Sequence, residues 1–217
     1  MKELFEGVYL IEGKLATKNL SPGFRVYGEK LVNVGGAEYR FWDPYRSKLA
    51  AAIKNGLKTL PIKRTARVLY LGAASGTTAS HVSDIIEKNG VVFCVEFAPR
   101  AMRDLLKVCE KRENMVPILA DARMPESYSD IGKVDVIYED VAQPEQAEIM
   151  VRNASRFLVK SGWAMIAIKS QSIDAVRDVE ETFKNTVSEL EETFDIVEKI
   201  RLEPYDRAHL FLLMSYR

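Results

Sequence analysis

The stretch from residue 68 to residue 86, VLYLGAASGTTASHVSDII, combines three local patterns. Residues 68–71 are apolar or aromatic, as in a buried strand, and the five residues GAASG at 72–76 form a turn of small side chains. The apolar positions Val82, Ile85 and Ile86 then share one side of a helix. Small residues between a strand and a helix let a ligand, or the packed helix itself, approach the main chain closely.

Outward from this unit, strand patterns alternate with helix patterns along most of the chain. The strands are predicted at 67–72, 90–97, 116–121, 134–140 and 163–170, and the helices at 78–88, 99–112, 145–158 and 174–192. Two further strands, at 194–204 and 209–217, close the sequence. Continuous apolar strands that alternate with helices predict an α/β fold, with a largely parallel, Rossmann-like sheet covered by helices on both faces.

Residues 1–43 have a different pattern. Their short alternating segments are separated by Gly, Pro and Asn, which is typical of hairpins in a small antiparallel sheet. From Tyr45 onward the pattern becomes helical, with Leu49, Ala50, Ile53 and Leu57 on one face. We therefore predict a small N-terminal β domain over residues 1–43 and a larger α/β domain over residues 44–217.

Composition and charge narrow the class of protein. The 217 residues carry 31 basic and 31 acidic side chains, so the net charge is zero. Seven basic residues and no acidic ones lie between Pro44 and Ser83, which favours a local contact with phosphates or a solvated helix face. No apolar run is long enough to span a bilayer, and residues 1–13 lack the apolar core of a signal peptide. These features predict an intracellular, cytoplasmic protein, and the two cysteines indicate free thiols.

Three successive strands after the glycine turn end in an acidic residue: Glu96, Asp121 and Asp140. In a doubly wound sheet, ligands bind at the carboxyl ends of the strands. Glu96 follows Gly72 by 24 residues, which suits an acid that binds a ribose hydroxyl, and Phe97 beside it suits a purine ring. Because the turn does not match G-x-G-x-x-G, we predict an adenosyl cofactor without pyrophosphate, S-adenosylmethionine.

The chain also resembles a known family, fibrillarin in its short archaeal form. The motifs that carry the resemblance span nearly the whole chain: WDPYRSKLAAAI (42–53), YLGAASGTTASHVSDII (70–86), VEFAPR (95–100), ADAR (120–123), YEDVAQPEQ (138–146), AIKSQSID (167–174) and EPYDRAH (203–209). The resemblance implies a class I methyltransferase fold and S-adenosylmethionine-dependent 2′-O-methylation of ribose in rRNA and tRNA. The predicted cofactor-binding residues are Gly72, Ala74, Gly76, Thr77, Thr78, Glu96, Phe97, Asp121, Ala122, Asp140 and Gln143.

By the same resemblance, four residues surround the ribose 2′-hydroxyl: Lys48, Asp140, Lys169 and His209. Ala208 stands where that family has an acidic residue, so a smaller contribution is expected from His209. Lys169 acts either as a base, which requires desolvation and a nearby cation to lower its pKa, or as a charge that stabilises a developing alkoxide. The residue pattern alone leaves both roles open.

The resemblance further implies that the chain works inside a box C/D guide ribonucleoprotein. There a guide RNA pairs with the target RNA, and a Nop-family scaffold protein and a kink-turn-binding ribosomal-type protein complete the assembly. This fits the zero net charge, because a chain with few excess cations holds free RNA weakly. Two other functions remain open from the sequence: methylation of a protein or small molecule, and a non-catalytic subunit that only binds cofactor.

Overall fold

A computed structural model describes residues 1–173 and 178–217, and it contains two β-sheets. The first is formed entirely by the N-terminal region and has five antiparallel strands in the order β1-β2-β3-β5-β4. The strands are β1 (Lys2–Phe5), β2 (Val8–Ile11), β3 (Lys14–Lys18), β4 (Leu31–Val34) and β5 (Ala37–Phe41). The hairpins predicted for this region are confirmed.

The second sheet has seven strands in the order β11-β12-β10-β9-β6-β7-β8. Its strands are β6 (Arg67–Leu71), β7 (Val91–Glu96), β8 (Met115–Leu119), β9 (Val134–Glu139), β10 (Leu158–Lys169), β11 (Phe194–Arg201) and β12 (His209–Tyr216). The five strands from β6 to β10 are parallel, whereas β12 lies antiparallel between β10 and β11. The largely parallel, Rossmann-like sheet predicted from the sequence is therefore confirmed.

Helices cover both faces of the seven-stranded sheet. They are α1 (Lys48–Lys54), α2 (Thr77–Ile86), α3 (Pro99–Cys109), α4 (Gln146–Phe157), α5 (Ser170–Ile173) and α6 (Val179–Leu190), with a 3₁₀ segment at Pro125–Ile131. The alternation of buried side chains along β6 separates two cores: Val68 and Tyr70 pack with α1 and α2, while Leu69 and Leu71 pack with α4 and α6. Within the described chain, no helix combines the length and apolar character that a membrane span requires.

Some predicted boundaries differ from the observed ones. The last long helix begins at Val179, because the Asp178 side chain accepts hydrogen bonds from the amides of Glu180 and Glu181 as an N-cap. Positions 174–177 of that predicted helix lie outside the described residues. Ser170 belongs to α5 rather than to the preceding strand. Both cysteines are free, but Cys109 is only half-buried.

A buried ionic cluster joins the N-terminal sheet to α2. Asp84 of α2 contacts two guanidinium groups, with its Oδ2 3.0 Å from Arg40 of β5 and its Oδ1 2.6 Å from Arg112. Arg40 also contacts Glu29 at 2.6 Å, and the three side chains around Asp84 are almost fully buried. The two sheets are thus connected by charges that water does not reach.

Candidate active site

The chain order of the strands reverses at β6, which has β7 on one side and β9 on the other. At this switch point the carboxyl ends of β6, β7, β8 and β9 border a cleft of about 250 Å³. Eight of the eleven predicted cofactor-binding residues line it: Gly72, Ala74, Glu96, Phe97, Asp121, Ala122, Asp140 and Gln143. The volume is slightly below the ~300 Å³ lower limit of typical ligand clefts, so a nucleoside-sized group would fill it.

Neither Gly72 nor Gly76 could carry a side chain without a clash with a neighbouring residue. Gly72 has a φ of +82°, and a Cβ built on it would lie 2.6 Å from the main-chain oxygen of Asp140. A Cβ on Gly76 would lie 2.9 Å from Leu105 of α3, and its φ is +88°. Any side chain at Gly72 would therefore push the turn away from Asp140, the residue that follows β9.

Glu96 fixes the turn relative to the next helix. Its two carboxylate oxygens accept hydrogen bonds from the main-chain amides of Ala74, at 2.9 Å, and Ala98, at 2.7 Å. The residue is 7% exposed and lines the cleft. A carboxylate has about four acceptor positions, so two remain for a pair of vicinal hydroxyls.

Asp121 and Phe97 form the outer part of the cleft. The Asp121 carboxylate pairs with the Arg123 guanidinium at 2.7 Å, and this hydrogen bond holds the pKa of Asp121 below its usual range. Phe97 is 61% exposed, so one face of its ring is available to a flat apolar ligand. The two residues thus offer a charged acceptor and an aromatic surface next to each other.

Three predicted cofactor-binding residues, Gly76, Thr77 and Thr78, are absent from the lining of this cleft. Thr78 is buried and donates to Ser47 at 2.9 Å, so its hydroxyl serves the packing of α1 on α2. The cleft instead includes three residues that were not predicted: Val141, Ala142 and Ile149. Val141 and Ala142 lie between the predicted residues Asp140 and Gln143, so they could have been predicted as part of the same loop. Ile149 lies on α4, and nothing in the sequence connects it with the cleft.

Lys48 reaches the same edge of the sheet from α1. The helix begins at Lys48 because Ser47 acts as its N-cap and accepts from the amide of Ala50. The Lys48 ammonium lies 2.8 Å from Asp140 Oδ1 and 4.0 Å from Asp206 Oδ2. Both Lys48 and Asp140 keep partly exposed side chains, so the pair is open to a substrate.

Lys169 and His209 are cross-strand neighbours, because Lys169 ends β10 and His209 begins β12 in register with it. The Gln146 side chain accepts from the Lys169 amide at 3.0 Å and donates to the carbonyl oxygens of Val141 and Ala167. Gln146 therefore ties the end of β10 to the loop that follows Asp140. The structure brings all four predicted catalytic residues to one edge of the sheet.

Asp206 is a residue of this site that the sequence analysis missed. Its carboxylate lies 3.0 Å from His209 Nδ1, and the same nitrogen donates to the Arg207 carbonyl at 2.7 Å. A smaller contribution of His209 was expected because Ala208 replaces an acidic residue. In the structure, Asp206, three residues before the histidine, supplies that carboxylate instead. No sequence signal distinguished Asp206 from other loop acids, because its approach depends on how the loop before β12 turns.

The surroundings of His209 keep its ring neutral. Burial lowers the pKa of His209, although the Arg207 carbonyl and the Asp206 carboxylate act in the opposite direction, and the charge of Lys48 lowers the pKa further. Because Nδ1 carries the proton, Nε2 presents a lone pair, and no described residue forms a hydrogen bond with that nitrogen. Nε2 is itself buried, so the ring supports the end of the sheet and does not face the solvent side of the site.

Glu139, which directly precedes Asp140, is fully buried, and neither carboxylate oxygen has a hydrogen-bond partner among the described residues. Burial raises the pKa of Glu139 well above its usual range, and the charge of Asp140 adds to the increase. Burial therefore favours the protonated, uncharged form of this side chain.

The stability of Glu139→Gln relative to that of the wild type should increase with pH. Above pH ~4.3 the unfolded chain loses the Glu139 proton while the folded chain keeps it, so wild-type stability falls as pH rises. The difference in free energy of unfolding between the variant and the wild type should therefore be larger at pH 6.5 than at pH 5. Urea unfolding of both proteins at the two pH values measures it; an unchanged difference would contradict a neutral Glu139.

Comparison with known proteins identifies the family. A model of the Fibrillarin family matches residues 1–217. A fibrillarin-like rRNA/tRNA 2′-O-methyltransferase of Pyrococcus abyssi is 52% identical, over 98% of this chain and 96% of the relative.

Two solved structures are similar along nearly the whole chain. Aeropyrum pernix fibrillarin, solved with natively bound S-adenosyl-L-methionine, is 50% identical with a TM-score of 0.88, over 95% of this chain and 92% of that one. The matching chain of a fibrillarin/Nop5p complex is 45% identical with a TM-score of 0.91, over 100% of both chains. Sequence and fold agree over the same residues, and the chain belongs to the fibrillarin family.

Proposed function

We propose that this protein is an S-adenosylmethionine-dependent RNA ribose 2′-O-methyltransferase that modifies rRNA and tRNA in the cytoplasm. The observation that carries the proposal is the cluster of Lys48, Asp140, Asp206 and His209 beside the cleft at the switch point. Full-length relatives of the same family are named as rRNA/tRNA 2′-O-methyltransferases, which supports this assignment.

The donor set of the cleft fits S-adenosylmethionine. Glu96 has acceptor positions left for the two ribose hydroxyls, Phe97 offers a ring face to the adenine, and Asp121 offers an acceptor to the adenine amino group. The turn at Gly72 and Ala74 borders the remaining part of the cleft. When bound, this cofactor supplies an electrophilic methyl group on a sulfonium. A related fibrillarin carries the same cofactor, which further supports the assignment.

The residues of the site prepare the hydroxyl of the target ribose. The Asp140 carboxylate accepts a hydrogen bond from the 2′-hydroxyl and aligns it, while Lys48 at 2.8 Å holds that carboxylate in place. The hydroxyl proton passes to the Asp140 carboxylate as the oxygen takes the methyl group, while Asp206 and the Arg207 carbonyl hold the His209 ring in place at the start of β12. Lys169, beside His209 in the sheet, stabilises negative charge on the ribose oxygen.

The proposed setting is a box C/D guide ribonucleoprotein. A Nop-family scaffold protein is the partner, since a fibrillarin of the same fold has been solved in complex with Nop5p. We further propose that guide RNA selects the target by pairing and that a kink-turn-binding ribosomal-type protein completes the assembly. The zero net charge supports this arrangement, in which the partners provide most of the affinity for RNA and this chain provides the active site.

The test is transfer of labelled methyl groups in the assembled particle, with and without this chain. We expect labelling of one target nucleotide, and none when that nucleotide is 2′-deoxy, because the acceptor oxygen is then missing. The chain without partners should label naked RNA poorly. Calorimetry of cofactor binding to the same preparation is the control: binding without any transfer would indicate a non-catalytic subunit, and label in protein would indicate another substrate class.

A further inference from the structure

A second cavity, of about 520 Å³, lies between the N-terminal sheet and α1. It is bordered by the turn before β3, the loop before β4, and the segment from Phe41 to Arg46 that leads into α1. Lys54, on α1, completes the wall. None of the predicted cofactor or catalytic residues lines this cavity, so it is distinct from the cleft at the switch point.

The aromatic wall of the cavity is held in a fixed arrangement. The Tyr27 hydroxyl lies within hydrogen-bond distance of the Phe41 carbonyl, at 3.0 Å, and of His81 Nε2, at 2.8 Å. Trp42 is almost fully buried and stacks on His81, with 4.8 Å between ring centroids. A ligand would therefore meet a preorganised surface rather than a loose loop.

Four cations surround this aromatic wall. The ammonium groups of Lys14 and Lys30 lie 5.6 and 5.7 Å from the centre of the Phe41 ring, and the Arg46 guanidinium lies 5.9 Å from that of Tyr27. These three residues and Lys54 are exposed, and none forms an ion pair with a described residue. Of the two acids in the wall, Glu29 is already paired with Arg40, so positive charge dominates.

The rim of the cavity continues to the catalytic residues. Tyr45 is 68% exposed, and its ring meets Tyr205 edge-on with 5.1 Å between centroids. Tyr205 directly precedes Asp206, and Arg46 is two residues before Lys48. A strand whose ribose lay at Asp140 would therefore pass the exposed tyrosine before it reached the four cations.

We propose that this cavity binds the phosphate backbone of the RNA strand next to the methylated nucleotide, with Tyr45 stacking on an adjacent base. The inference rests on the proposed function, since RNA is the substrate at the continuous catalytic site. Unpaired cations beside an exposed aromatic ring, here that of Tyr45, are the combination that holds single-stranded nucleic acid without reading its sequence. The cavity thus positions the substrate and does not select it.

The test removes two of the cations and leaves a polar side chain at each position, in the double variant Lys14→Gln/Lys30→Gln. The matched control is Lys88→Gln/Lys160→Gln, which removes the same charge from two exposed lysines outside the cavity. Target RNA affinity is measured in the assembled particle, by fluorescence anisotropy over a series of salt concentrations, with a target shortened to weaken its pairing to the guide.

Two phosphate contacts contribute a slope of about −1.4 to the dependence of log affinity on log salt. The cavity variant should therefore have a slope shallower by about 1.4 and an affinity about tenfold lower at 0.15 M salt, with kcat at saturating RNA unchanged. Equal slopes for the cavity variant and the control would overturn the proposal. Weaker binding of the scaffold protein with unchanged RNA affinity would also overturn it, in favour of an acidic protein partner.

The proposed function and this inference fail in different ways. If the wild-type particle transfers no methyl group to RNA, the function is wrong whatever the salt dependence. If it methylates the target normally and the cavity variant matches the control, the function stands and the cavity has another role.

Discussion

Asp140→Ala should slow single-turnover methyl transfer in the assembled particle by about 10²- to 10⁴-fold. The carboxylate has two tasks, because it lines the cofactor cleft and lies 2.8 Å from the Lys48 ammonium. Without it the ribose hydroxyl loses its alignment, and Lys48 loses the partner that fixes its position. The measurement is the first-order rate with guide RNA, target RNA and cofactor all in excess.

The matched control is Asp130→Ala, which removes an exposed carboxylate of the 3₁₀ segment and should leave the rate unchanged. Cofactor affinity of the Asp140 variant has to be measured separately by calorimetry, so that weaker binding is not mistaken for slower chemistry. A near-normal rate at saturating cofactor would show that Asp140 does not act on the hydroxyl.

Asp84→Asn should lower the free energy of unfolding by about 3–5 kcal/mol, although the two side chains have the same shape. The carboxylate is fully buried between the guanidinium groups of Arg40 and Arg112, and its Oδ1 also accepts from the Leu20 amide at 3.0 Å. The amide removes the negative charge and leaves two cations close together without water. Urea denaturation of the two proteins measures the difference.

Asp104→Asn is the control, since its partner Lys107 lies in solvent and the pair should contribute nothing measurable. The two tryptophans report separate regions, Trp42 beside the N-terminal sheet and Trp163 in the seven-stranded sheet. Because Asp84 connects both regions, we propose that they unfold in one transition. Single-tryptophan variants with different midpoints would contradict this, and so would an Asp84 variant of wild-type stability.

Much of the cofactor cleft was predictable from the sequence, because the carboxyl ends of parallel strands meet at one edge. Glu96 ends β7, and Gly72, Asp121 and Asp140 follow β6, β8 and β9 within two residues. A correct assignment of the strands therefore also located these side chains. The structural role of Gly72 was harder to predict from the sequence. Its contact with the Asp140 carbonyl depends on the spacing between β6 and β9, which no local pattern encodes.

Contacts made by loops and by buried charges were not predictable in the same way. Asp206 lies in a loop, and only the three-dimensional turn brings it to His209. Arg40 occupies a position in a strand that reads as solvent-facing, yet it is fully buried because Asp84 and Glu29 neutralise it. A side chain of this type reveals its environment only when its partners are known.

The position of β12 has a consequence for the synthesis of this protein. It follows the other eleven strands along the chain, yet it occupies an interior place between β10 and β11. A ribosome delivers the chain from its N-terminus, so β10 presents an open, apolar edge until residues 209–216 emerge. An exposed edge of this kind pairs readily with other chains. The growing polypeptide therefore passes through an aggregation-prone interval that ends only when β12 inserts.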